Sequence, residues 1–137
     1  MIFKKDEPNI EYEFNHIKAI VTISTVEGYH SGEEGIVGME FDDFCKILQE
    51  FEESFVEGSI SWLVRPGKAV YKQAWGAPKG GEPVFVLEAD YTEYDKGTDR
   101  SAWRKNIFTH AEALRKIFKQ ETIRVTFIEG ITTTVLR

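Results

Sequence analysis

The chain has a single cysteine, four prolines and three histidines, and no apolar run long enough to cross a bilayer. Each shortage excludes something. One thiol cannot close an intrachain disulfide and gives no sign of an oxidising compartment. Cys45 lies at the border of an apolar helical stripe, so it reads as a partly buried structural thiol rather than a nucleophile. Without an apolar span, no membrane partner is expected. The first residues, MIFKKDEPN, carry charges where the apolar centre of a signal peptide would lie, and the expected location is the cytoplasm. Internal repeats, low-complexity tracts and N-glycosylation triplets are also missing.

The few residues able to do chemistry do not assemble into a recognisable set. Glu27, His30 and Glu33 have ExxHxxE spacing, but such ligands share a face only on a helix, and Gly28 and Gly32 argue for a loop. His110 falls within an apolar helical stripe and reads as a core imidazole, while His16 precedes a strand without an obvious companion. Gly76 and Gly81 have phosphate-loop spacing but are followed by Glu82-Pro83 instead of Lys and Ser or Thr. Gly32, Gly35 and Gly38 do not make a dinucleotide fingerprint, and no GxSxG elbow occurs. A calcium loop built on Gly97 would place Thr92, Tyr94 and Lys96 at ligand positions, which a lysine rules out. No catalytic residue, metal or cofactor is therefore assigned.

What is present describes an ordered protein. A chain of 137 residues, 42% hydrophobic and 13% aromatic, suits one globular domain over residues 1–137. At that size a fold buries roughly two thirds of its unfolded surface. The net charge of -6 is unevenly spread: residues 1–58 carry 14 acidic and 4 basic side chains, and residues 59–137 carry 9 acidic and 13 basic. The two parts are electrostatically complementary, which suits packing against each other, against a second copy, or against a basic partner.

Periodicity predicts the elements. Residues 1–16 read as an arm or edge strand, and Ile17 to Val26, rich in β-branched residues, as a strand. Ile36 to Glu40 could return as its partner. Phe41 to Glu57 is an amphipathic helix with Phe41, Phe44, Ile47, Leu48, Phe51 and Phe55 on one stripe. Ser59 to Arg65 alternates as a strand, Pro66-Gly67 suits a turn, and Val70 to Trp75 suits a second strand. Val84 to Leu87 is apolar on both faces, the pattern of a central strand covered on both sides. A second helix is expected over Ser101 to Lys119, followed by Thr122 to Ile128 and Ile131 to Leu136 as a hairpin around Glu129-Gly130. The predicted class is α+β: a mainly antiparallel sheet of about six or seven strands with two amphipathic helices packed on one face.

Three functional readings follow. The first is a small acidic, non-enzymatic interaction protein of the immunity or antitoxin type, which masks a basic protein partner through Tyr29, Glu33, Glu34, Asp43, Glu50, Glu53 and Glu57. The second is a nucleotide or single-strand binder using Arg65, Lys68, Tyr71, Lys72, Trp75 and Lys79, a reading the low isoelectric point opposes. The third is a small-ligand carrier or enzyme with a pocket between sheet and helices, drawing on Glu88, Asp90 or His110. Its discriminator is a concave pocket that contains one of these three groups in hydrogen-bond reach of another ionisable group. The opposed charges of the two parts and the C-terminal segment also suggest a homodimer.

Overall fold

The computed structural model describes residues 6–91 and 99–137, so Thr92, Tyr94, Lys96 and Gly97, where the sequence rules out a calcium loop, lie outside the described residues. The chain runs β1 (Ile10–Ser24), α1 (Phe41–Glu53), β2 (Leu63–Ala69), a short 3-10 turn (Gln73–Trp75), β3 (Glu82–Tyr91), α2 (Arg100–Ile117) and β4 (Arg124–Leu136). The strands form one four-stranded antiparallel sheet in the order β2-β3-β1-β4. Each helix joins two strands that are separated in the sheet by a third. This is the interleaved β-α-β-β-α-β arrangement called ferredoxin-like.

Among the described residues the sheet has four strands and not six or seven, because breaks read from the sequence are crossed by continuous strands. Pro66-Gly67 does not turn; it lies inside β2 and pairs with Phe85 and Val84. Proline is tolerated there because β2 is an edge strand, where a missing N–H on the outer side costs no ladder bond. Val70 to Trp75 leaves the sheet and ends in the 3-10 turn. Glu129-Gly130 does not turn either. His16 pairs with Ile131 and Lys18 with Ile128, so Ile17 alone faces both Glu129 and Gly130. This is a β-bulge, with Gly130 in the left-handed region at φ 73. Residues 10–16 and 17–24 likewise form the single strand β1, and Ile36 to Glu40 forms no strand.

Alternation along the strands selects the core. Ile17, Ala19, Val21 and Ile23 of β1 and Phe85, Leu87 and Ala89 of β3 point to one face, where they meet Phe44 and Leu48 of α1 and Trp103, Ile107, Ala111 and Leu114 of α2. Phe44 stacks on Phe85 with ring centroids 4.1 Å apart. The apolar run of β3 lies centrally, as its composition suggests, but among the described residues both helices cover the same face. The other face carries Ile20, Thr22, Val86 and Glu88 and is only partly buried.

Helix ends follow local chemistry. Asp99 caps α2 by accepting the Ala102 N–H at 2.7 Å, and Arg115 and Lys116 occupy its last turn. At α1 the N-cap is Glu40 without a side-chain bond, so Asp42 and Asp43 act only on the helix dipole. The helix stops at Glu53, which leaves Glu57 in the following loop.

Candidate functional site

The stripe that buries Phe44 and Leu48 continues one turn further to Glu52, so α1 delivers a carboxylate into the core. Glu52 is 7% exposed, and four donors converge on it. Oε1 accepts the Ile60 N–H at 2.7 Å and the Ser59 hydroxyl at 3.4 Å. Oε2 accepts the Trp62 indole N–H at 2.9 Å and faces His110 Nδ1 at 2.8 Å. A carboxylate can only accept, so Nδ1 carries the proton in this pair. Burial alone would raise the Glu52 carboxyl, but the bonds from His110, Ile60 and Trp62 outweigh it and hold the group below its ordinary value. Glu52 is thus an anion fixed at the junction of α1, the Ser59–Trp62 segment and α2.

His110 is fully buried, stacked on Phe55 at 4.1 Å and met edge-on by Phe51. Its Nε2 has no hydrogen-bond partner among the described residues. The core placement expected from the α2 stripe therefore holds, with Glu52 as the partner.

Beside this junction lies an open groove of about 570 Å³, lined by Phe41, Cys45, Leu48, Gln49, Glu52 and Glu53 of α1 and by Ser59, Ile60, Ser61, Trp62 and Val64. The size suits a small organic ligand. Its walls combine two flat rings, Phe41 and Trp62, with two carboxylates, three uncharged polar side chains and no lysine or arginine. Burial, and then the charge of Asp42, pushes the Cys45 thiol above its ordinary value, which is not how a nucleophile is activated.

The other candidates fall in different places. Asp43, Glu50, Glu53 and Glu57 are all exposed, and among the described residues no cation lies within ion-pair reach of any of them. Tyr29, Glu33 and Glu34 belong to a loop that docks instead on the segment containing Gly76 to Lys79. Gly32 N–H donates to Ala77 O at 2.8 Å, Lys79 N–H to Glu33 O at 2.8 Å, and Lys79 Nζ to Glu34 at 2.7 Å. Tyr29 donates to Glu121 at 2.9 Å, and His30 is held by Glu33 and by the Glu27 carbonyl. The Glu33 bond comes first among the causes that raise His30.

The basic set is dispersed and partly neutralised. Arg65 pairs with Glu88, and Glu88 also receives Lys18, which bridges to Asp90 at 3.2 Å. Asp90 in turn meets the buried His16 at 3.0 Å. Tyr71 donates to Glu82, and Lys72 sits 5.1 Å from the centroid of the exposed Trp75 ring. Lys68 and Lys72 remain as cations without a carboxylate partner among the described residues.

Sequence reasoning missed Glu52 and Trp62 as a pair. The signal was available: an acid in the i+4 register of Leu48, on the apolar stripe, has to find buried donors.

No protein-family model matches the chain, and no curated protein matches its sequence. Solved structures do resemble it. One is a phage SAM lyase in complex with S-methyl-5'-thioadenosine, with a TM-score of 0.53 and 17% identity over 90% of this chain and 91% of that one. A phage SAM lyase in its apo state gives 0.46 and 14% over 90% of each chain. At such identity the likeness is one of fold.

Proposed function

We propose that the chain is a small-ligand protein acting through the groove between α1 and Ser59–Val64, and that its ligand carries a flat ring and a positive charge. The observation that carries this reading is the lining: two rings for stacking and two carboxylates, with no lysine or arginine among the described residues that line it. None of Glu88, Asp90 and His110, the groups the sequence offered for such a pocket, lines the groove; its acid Glu52 is instead in hydrogen-bond reach of the buried His110 behind the wall. Glu52 is saturated by its four donors, so it supplies fixed negative potential and holds Trp62 in place. Glu53, exposed on the rim, is the acid free to meet the ligand.

SAM, a nucleoside bearing a sulfonium, has this chemistry, and the structural neighbour supports trying it first. Titration calorimetry with SAM and with the uncharged S-methyl-5'-thioadenosine tests the reading. SAM is expected to bind more tightly, Glu53→Gln to weaken SAM selectively, and Trp62→Phe to weaken both. The absence of binding by either compound, or affinities indifferent to both substitutions, would overturn it. Chromatography of SAM after incubation then separates an enzyme from a carrier.

A second reading, an acidic face for a basic protein, is favoured by the unpaired state of Asp43, Glu50, Glu53 and Glu57. Binding of a basic protein that survives Glu50→Lys with Glu53→Lys and keeps its salt dependence would remove it.

A further inference from the structure

Beyond the groove, the least explained part of the fold is its end. The last described residue of β3, Tyr91, lies opposite Ile17, so among the described residues Ile10 to His16 pairs only with Ile131 to Leu136, as a two-stranded ribbon beyond the four-stranded part of the sheet. Isolated two-stranded ribbons are marginal in water. This one also presents a long outer edge, because among the described residues no strand pairs with the far side of β4. The opposite edge of the sheet is protected: β2 is short and carries Arg65, Pro66 and Lys68. β4 has 13 residues, no proline and no lysine, and Leu136 near its end is 58% exposed.

We propose that the outer edge of the ribbon pairs antiparallel with the same edge of a second copy of this chain, centred on Thr133. An isologous contact requires a strand that complements itself, and this one does in that register. Thr132 meets Thr134 of the second copy, and Ile131 meets its Val135. Towards the ends, the carboxylate of Glu129 comes alongside the guanidinium of its Arg137. Threonine pairs, β-branched pairs and opposite charges are the combinations that stabilise facing strands. Glu129 and Arg137 already pair within the chain, with Arg104 and with Glu11 at 3.1 Å, and the contact would join these two ion pairs; the self-complementary order of threonine and β-branched residues about Thr133 is what selects a second copy over an unrelated peptide. Thr132 and Thr134 are exposed, and their hydroxyls bond within the ribbon, to Asn15 at 2.7 Å and Glu13 at 2.9 Å. They can therefore be replaced without touching the core.

The test is native mass spectrometry and sedimentation equilibrium of the full chain, with two double variants. Thr132→Lys with Thr134→Lys sets lysine against lysine twice across the contact. Thr132→Glu with Thr134→Lys sets glutamate against lysine twice. Both lose the same two hydroxyl bonds and both place a lysine at position 134 opposite Glu13; they differ only at position 132, which faces the neutral Asn15, so a difference between them reports pairing and not folding. The wild type is expected to be a dimer, and the lysine–lysine form to dissociate at least about tenfold more readily than the lysine–glutamate form. A wild type that stays monomeric at its highest soluble concentration, or two variants of equal dimer affinity, would overturn the proposal.

Discussion

Glu52 and His110, fifty-eight positions apart in the chain, meet at 2.8 Å in the core and join the end of α1 to the middle of α2. The same carboxylate holds Ile60 and Trp62, which form one wall of the groove. Stability and the shape of the candidate site are thus tied to one side chain.

Glu52→Ala is expected to cost about 3 kcal/mol, since it leaves three buried donors without an acceptor. Glu52→Gln, which retains a carbonyl oxygen but not the charge, should cost about half as much. Urea denaturation measures both. A loss under about 1 kcal/mol for alanine would mean that water replaces the carboxylate and that the junction is not sealed.

The depressed Glu52 carboxyl fixes the sign of an acid dependence. A group whose native pKa lies below its unfolded value adds stability above the unfolded value, near 4.5 here, and loses it as pH falls through the native one. Thermal midpoints should therefore fall more steeply below about pH 4.5 in the wild type than in Glu52→Gln. Parallel curves would show that other carboxylates control acid unfolding.

Gly76 links the two loops that the sequence presented as rival sites. Its φ is 108, and a Cβ there would sit 2.5 Å from Tyr29 Cδ1. Gly80, at φ 86 with nothing within 4 Å, is the control, because alanine there meets strain but no clash. Gly76→Ala should cost about 1–3 kcal/mol and Gly80→Ala about 1. Only the former should break the Tyr29–Glu121 bond, which heads the causes that raise the Tyr29 hydroxyl. Ultraviolet titration of the tyrosines reads that change, and equal effects of the two substitutions would show that Tyr29 does not rest on Gly76.

Much of the fold was legible because period and composition agree. The stripes of Phe44 and Leu48 and of Trp103, Ile107 and Leu114 marked both helices, and the β-branched run after Ile17 marked the sheet. Strand count was not legible, for one reason repeated twice. Pro66-Gly67 and Glu129-Gly130 have turn chemistry, but an edge position absorbs the first and a bulge the second, and both depend on a neighbour far along the chain. The site was half legible. Of its two acids the sequence singles out only Glu53, and that as part of an acidic surface; Glu52 and Trp62 escape notice as a pair because they meet only where α1 ends and the chain reverses.

The bulge supplies the sharpest discrimination between the two readings of the C-terminal segment. Glu129 and Gly130 together face Ile17, so removing Gly130 leaves one residue opposite one and converts the bulge into regular ladder. Phe127 and Val125 keep their places against the core, and Ile131 stays opposite His16. Deletion of Gly130 should therefore cost only about 1 kcal/mol, from altered twist. Deletion of Thr126, in regular pairing with Ile20, must instead throw either Val125 or Phe127 onto the wrong face, at a cost above about 2 kcal/mol. Were Glu129-Gly130 a two-residue turn, the order would reverse, since a hairpin cannot close on one residue. Urea midpoints of the two deletions, measured side by side, decide between continuous strand and hairpin.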